Sequence, residues 1–203
     1  VPLILLGHSM GSFIARLYLA KYGKDVDGAI ISGTAGPENP TGLAKLLTKM
    51  SIAIHGDHYR DNFIKCLSTG SYEKHFKGEP TSAWITRDTD EQEKYLADPL
   101  CNFTFTLNGY YNLFDMLGRV SSKGWAESIR KDLPILMISG SDDPVGDCGK
   151  GVRKVYERLK AAGIEDLTLR LWDGARHELF NESAVRNEVY ACIVDWIGEH
   201  IKK

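Results

Sequence analysis

A serine set between two glycines, where an apolar run gives way to a helical pattern, constrains this chain more than any other feature. Gly7-His8-Ser9-Met10-Gly11 has the spacing G-x-S-x-G. Before it, Val1 to Leu6 (VPLILL) is a continuous apolar run, the signature of a strand buried on both faces of a parallel sheet. After it, Met10, Phe13, Ile14 and Leu17 recur at i, i+3, i+4 and i+7, and Gly23 stops the helix. A serine at such a junction sits on a tight strand-to-helix turn, in a strained backbone conformation, with its Oγ exposed. Side chains two residues before and after it would collide, so Gly7 and Gly11 are expected to be required. The helix start adds free N–H groups and the positive end of a dipole. The N–H of Met10 is then placed to donate to an oxyanion. At average frequencies of about 0.07 per residue the motif alone arises about once in ten to fifteen such chains. Its strand–turn–helix setting is what makes it informative.

The β/α rhythm continues elsewhere. Gly28 to Ser32 (GAIIS) and residues 133–139 (LPILMIS) read as further buried strands, and residues 167–171 (LTLRL) alternate as an edge strand does. Lys150 to Ala162 is helical, with Val152, Val155, Tyr156 and Leu159 on one face and Gly163 as stop. Glu182 to Ile201 reads as a terminal amphipathic helix carrying Val185, Val189, Cys192, Ile193, Trp196 and Ile197. Between residue 36 and about residue 130 the rhythm is lost. Pro37, Pro40 and Gly42 mark the entry, Leu43, Leu46, Leu47, Met50 and Ile54 form one helical face, and aromatic residues cluster at Phe103, Phe105, Tyr110, Tyr111 and Phe114. The predicted fold class is α/β: a parallel sheet with flanking helices built from residues 1–35 and 131–203, with a mostly helical insertion over 36–130.

Composition excludes several alternatives. With 203 residues, 43% hydrophobic and 26% charged, the chain is neither disordered nor too short for a core. A net charge of −2 provides no electrostatic footprint for nucleic acid. No apolar run approaches the roughly 18 residues of a membrane helix. Cys66, Cys101, Cys148 and Cys192 stand far apart, without zinc-type pairing or a disulfide framework, so a reduced cytoplasmic setting is the default. His55 and His58 alone do not make a metal site.

A serine nucleophile needs a base, and the base an orienting acid. Two loops leave the carboxyl ends of later strands, where α/β sheets place their sites. One is Gly140-Ser141-Asp142-Asp143-Pro144-Val145, the other Trp172-Asp173-Gly174-Ala175-Arg176-His177-Glu178. The chain order Ser, Asp, His fits. His177 is the candidate base and Asp143 its acid, with Asp142 as the rival, since one aspartate of such a turn can simply cap the backbone. The remaining histidines, His8, His55, His58, His75 and His200, read as structural or surface residues.

The stretches LILLGHSMGS (3–12), WITRD (84–88), DPLCNFTFT (98–106), PILMISGSDDPVG (134–146), Gly149-Lys150-Gly151-Val152 and GARHELFNE (174–182) together resemble the α/β-hydrolase superfamily. Within it they resemble the lysophospholipase and monoacylglycerol lipase-like branch of serine aminopeptidase-type hydrolases. The resemblance implies a Ser9–Asp143–His177 triad, with the acid being the aspartate before proline, and makes the insertion a lid over the site. Members of that superfamily carry further strands before the nucleophile strand, one ending in a His-Gly loop that supplies a second oxyanion donor. None precedes Val1, so the resemblance implies an N-terminally truncated chain, the fifth to eighth strands of the fold. The nucleophile strand would then have an open, apolar edge and the oxyanion hole would be half built.

The implied chemistry is ester hydrolysis through an acyl-enzyme, without cofactor or metal. The implied partner is a small apolar ester of the monoacylglycerol or lysophospholipid kind, and an apolar cap also suits peripheral contact with a lipid surface. Leu43, Leu47, Met50 and Phe105 are candidates to line an acyl-chain tunnel, against the plainer role of packing the cap. Arg87 and Asp88 are expected to pair and hold the cap rather than contact a polar head group, and Arg176 and Glu178 to fix the loop of the base rather than touch substrate. A peptidase or thioesterase on the same triad, or a catalytically impaired fragment, are the alternatives.

Overall fold

The computed structural model describes residues 1–37 and 40–200. Its centre is a parallel sheet of β1 (Ile4–His8), β2 (Gly28–Ser32), β3 (Ile135–Gly140) and β4 (Leu167–Trp172), in that order across the sheet. The register sets His8 opposite Ser32, Ser32 opposite Ile138, and Gly140 opposite Trp172. Since all strands run the same way, the residues that follow them emerge along one edge: Ser9, Gly33, Asp143 and His177 all lie there.

The two central strands are buried along their whole length. Alternation sends their side chains into two layers. Ala29, Ile31, Ile135 and Met137 pack on one side with helices α1 (Met10–Tyr22) and α6 (Lys150–Ala161), through Ala15, Leu19, Val152, Val155 and Leu159. Ile30, Leu136 and Ile138 pack on the other side with α7 (Arg186–His200), through Val189, Ile193 and Trp196. The last helix begins at Arg186 rather than at Glu182, because residues 183–185 form a turn whose Val185 N–H, like that of Arg186, donates to the Glu182 carbonyl. Ile201, the expected end of that helix, lies outside the described residues.

β1 departs from the sequence expectation of a strand buried on both faces. Among the described residues it pairs with β2 alone, and Leu3 and Leu6 are exposed. The face of α1 departs too. Met10 and Ile14 face solvent, while Ser12, Phe13, Ala15, Arg16 and Leu19 are buried. The close approach of α1 to β1 explains this: a Cβ on Gly7 would come within 2.8 Å of the Ala15 Cβ, so the side of the helix turned to the strand must carry small residues.

Four helices lie between β2 and β3: α2 (Thr41–His55), α3 (Asn62–Thr69), α4 (Thr89–Ala97) and α5 (Leu107–Ser121). Asp61, Asp88 and Thr106 cap α3, α4 and α5 by accepting from first-turn N–H groups. Ile64, Leu107, Tyr110 and Phe114 form a separate small core, against which Ala44, Leu47 and Ile52 of α2 pack. The larger apolar residues of α2 outside it, Leu43, Leu46, Met50 and Ile54, are exposed. Beyond α5, Trp125, Ala126 and Ile129, grouped with the insertion by sequence pattern, pack in the core beside the sheet.

The end of β3 is packed against the loop of the candidate base. A Cβ added at Gly140 would strike the backbone carbonyl groups of Ala175 and Arg176. Gly140→Ala is therefore expected to cost about 1–3 kcal/mol, read as a fall in thermal midpoint of about 2–4 °C per kcal/mol. Gly42→Ala, in open space within α2, should leave the midpoint unchanged or slightly raised. Circular dichroism melts of the two variants check this.

Candidate active site

Ser9 sits between β1 and α1 with φ 53° and ψ −122°, a left-handed conformation that a side chain adopts only when its surroundings enforce it. Its N–H donates to the Ser32 carbonyl at 3.0 Å, which ties the turn to β2. Its carbonyl accepts from the Ser12 N–H at 2.8 Å and from Ser12 Oγ at 2.5 Å. The two glycines of the motif are not equivalent. A Cβ on Gly7 would strike the Gly11 carbonyl oxygen, whereas a Cβ on Gly11 meets nothing within 4 Å. It is the carbonyl of Gly11, not its Cα, that approaches β1, so the expected collision at the second glycine is absent. Met10 is the first residue of α1, and its N–H is therefore among those with no acceptor inside the helix.

His177 and Asp143 meet across the ends of β3 and β4. His177 Nδ1 is 3.0 Å from Asp143 Oδ2. Asp143 is fully buried, and its Oδ1 accepts the Val145 N–H at 2.9 Å. Asp142, by contrast, is exposed and accepts from Ser141 Oγ at 3.1 Å. The structure thus brings Asp143 and not Asp142 to the histidine. An ionised Asp143 requires the proton on Nδ1, which leaves Nε2 with a free lone pair. That Nε2 is buried and has no hydrogen-bond partner among the described residues. Burial disfavours the charged imidazole, but the charge and hydrogen bond of Asp143, helped by Glu178, outweigh it and hold the pKa above the ordinary 6.5.

His8, read from sequence as structural or surface, lies in the site. Its ring centroid is 4.8 Å from that of His177, and its Nδ1 is 3.0 Å from Ser32 Oγ. Burial and the His177 charge together push its pKa down to about 4, against the pull of Asp143, so it stays neutral near neutral pH. Gly33, with φ 56°, makes room for both rings: a Cβ there would lie 3.0 Å from His8 Cε1 and 3.1 Å from His177 Cε1. The position of His8 inside the motif was the only sequence signal for this.

The insertion holds the histidine loop. His177 N–H donates to the Trp84 carbonyl at 3.4 Å and Glu178 N–H to the Ile85 carbonyl at 2.7 Å, while the Trp84 ring lies 5.2 Å from the imidazole. Arg87 does not pair with Asp88, which caps α4. It pairs instead with the buried Glu182, whose carboxylate accepts Arg87 Nε at 2.9 Å, Arg87 N–H at 3.0 Å and Arg176 N–H at 2.9 Å. Arg176 reaches back to the Ala83 carbonyl at 2.7 Å and to Glu79 at 2.8 Å, so it fixes the loop as expected of it.

Ser9 and His177 open onto one cavity of about 490 Å³. Its apolar wall comes from the insertion, including Phe105, Tyr110, Phe114 and Leu117, and its polar groups include Glu73 and Glu178. Of the expected tunnel residues only Phe105 lines it. Leu43 and Met50 point to solvent and Leu47 packs into the small core behind the wall, because α2 turns its Ala44 side to α5. Among the described residues no group of three His, Cys, Asp or Glu side chains is arranged to hold a metal ion.

Residues 1–184 match the family described as Serine aminopeptidase, S33. The chain is 28% identical over 206 residues to the monoglyceride lipase of Mus musculus, covering 99% of this chain and 60% of that protein. It is 25% identical to the monoacylglycerol lipase of Mycolicibacterium smegmatis, covering 99% of this chain and 64% of that one. The crystal structure of a highly thermostable carboxyl esterase from Bacillus coagulans in complex with glycerol superposes with a TM-score of 0.92 at 30% identity, over 100% of this chain and 66% of that one. The chain thus spans about 60% of the length of the curated relatives first matched.

The imidazole pair makes a direct expectation. In ¹⁵N-edited spectra His177 should titrate above 6.5 and His8 near 4. Asp143→Asn removes the charge that offsets burial, so His177 should then titrate below 6.5. An unchanged midpoint in that variant would contradict the pairing.

Proposed function

The chain belongs to the serine aminopeptidase, S33, family and has the α/β-hydrolase fold, and from that premise we propose that it is a serine hydrolase of carboxylic esters with apolar acyl groups. The observation that carries this reading is the meeting of a strained Ser9 and the buried His177–Asp143 pair at one apolar cavity. His177 Nε2 takes the Ser9 proton as Oγ attacks the ester carbonyl. The Met10 N–H donates to the oxyanion. The imidazolium, stabilised by Asp143, returns its proton to the departing alcohol and leaves an acyl-enzyme. A water deprotonated by the same nitrogen then releases the acid. Glu73 and Glu178 on the cavity wall give a hydroxyl-rich alcohol portion acceptors to bind. With aromatic residues lining the same cavity, and with relatives named monoglyceride and monoacylglycerol lipases, a glycerol monoester is the substrate class we favour.

The outer face of α2 adds a lipid-surface contact to this reading. Leu43, Leu46, Met50 and Ile54 are each more than half exposed and, spaced i, i+3, i+7 and i+11, form one stripe. Phe63, Leu100 and Phe103 of the same insertion are exposed as well. An apolar helical face left to solvent suits burial at the boundary of a lipid aggregate. No helix among the described residues is long and apolar enough to cross a membrane.

A fluorophosphonate probe should label Ser9, and Ser9→Ala should lower kcat by about 10⁴-fold or more. Since His177 must be neutral to act, and its pKa is raised, activity should fall away as pH drops through a value above 6.5. Among p-nitrophenyl esters, rates should rise with acyl length; a sharp optimum at acetyl, or faster cleavage of aminoacyl anilides, would favour the other readings. Replacing Leu46 and Met50 by Gln should weaken partition onto vesicles and turnover of dispersed monoester, while sparing soluble short-chain esters.

A further inference from the structure

Arg16 is a charged group in the interior, 1% exposed, and the acceptors it meets among the described residues are neutral oxygens. Its Nη1 donates to Thr34 Oγ1 at 3.2 Å and to the Ala35 carbonyl at 3.2 Å, just after β2. Its Nη2 donates to the Val120 carbonyl at 2.7 Å, in the last turn of α5. Its guanidinium lies 4.2 Å from the centre of the Trp125 ring. Burial and the nearby Arg158 charge push its pKa down to about 9, which still leaves it a cation at neutral pH. A buried cation without a carboxylate costs stability, and hydrophobic packing alone would have served the core better.

The polar contacts lead from that cation to the nucleophile. Thr34 Oγ1 is 2.8 Å from Ser12 Oγ, and Ser12 Oγ is 2.5 Å from the carbonyl oxygen of Ser9. A hydroxyl has one proton. The Ser9 carbonyl can only accept, so the Ser12 proton goes to it, and the contact between the two hydroxyls must use the proton of Thr34. Thr34 in turn accepts from Arg16. Every proton in the chain then points from the guanidinium to Ser9, and Ser12, Thr34 and Arg16 are all buried. Aligned hydrogen bonds strengthen one another in such surroundings.

We propose that Arg16 is a positioning residue for the nucleophile: through Thr34 and Ser12 it holds the strained backbone of Ser9, while its other arm anchors the end of α5, which walls the cavity. This rests on the reading of Ser9 as nucleophile. The relay explains why a left-handed serine persists without glycine's freedom, and why the cation is retained in the core. It also joins the elbow to the helix that supplies Tyr110, Phe114 and Leu117 to the cavity.

The test is the rate of Ser9 phosphonylation by a small fluorophosphonate, with kcat and KM for a soluble short-chain ester. Thr34→Val keeps the shape but breaks the relay, and is expected to lower the labelling rate and kcat about 5–10-fold at unchanged KM. Thr34→Ser, which retains the hydroxyl, should restore most of both. Arg16→Gln and Ser12→Ala should combine less than multiplicatively. Thr34→Val at the rates of the parent, or equal losses in Thr34→Val and Thr34→Ser, overturns the relay. Multiplicative losses in the Arg16 and Ser12 pair place Arg16 outside it and overturn the proposal. If Arg16→Gln does not fold, Arg16→Lys takes its place in the cycle with Ser12→Ala, and multiplicative losses there overturn the proposal. A parent protein that the probe does not label at all overturns the nucleophile reading itself, a result visible before any variant is made.

Discussion

The contact between the Gly7 backbone and the Gly11 carbonyl decides how everything else in this protein is arranged. It lets α1 leave β1 in a tight turn, and that turn forces Ser9 to a positive φ. With the helix pressed so close to the strand, the residue opposite Gly7 must be small: Ala15 stands there, and the bulky Met10 and Ile14 face away. The turn is then tied on both sides, to β2 by the Ser9 N–H and to α1 by Ser12. Strain at one residue is sustained by contacts of its neighbours, which is the usual condition for strain at a functional site.

Two ionic arrangements connect the sheet to the helical insertion, and they differ in kind. On the histidine side, the buried carboxylate of Glu182 gathers Arg87 and two backbone N–H groups, and Arg176 crosses to Glu79 and Ala83. On the serine side, the cation of Arg16 gathers hydroxyls and carbonyls. The loop of His177 is fastened to the insertion by the first set, and α1, which follows Ser9, by the second.

How far this was legible in the sequence depended on whether a signal was local. The buried strands and the strand-end loops that carry Asp143 and His177 followed from apolar runs, stop residues and turn residues, because those features are set within a few residues. The roll of a helix is not. For α1 and α2 the sequence showed an apolar stripe, yet the buried stripe is rotated from it, since the azimuth is decided by close approach to β1 in one case and to α5 in the other. Leu43 and Met50 therefore fell on the outside and only Phe105 of the expected lining reached the cavity. Arg87 offered Asp88 as a neighbour in the chain, but its partner lies 95 positions away. Arg16 carried no signal at all: its burial is legible only once Val120 and Thr34 are beside it.

The central claim is covalent catalysis at Ser9 driven by His177. Rapid-quench mass spectrometry of the protein reacting with a medium-chain p-nitrophenyl ester tests it most directly. The account predicts an acyl adduct on the peptide that contains Ser9, accumulating with a burst of nitrophenol and absent from Ser9→Ala. Ester turnover without that adduct, at a rate that Ser9→Ala retains, would contradict it.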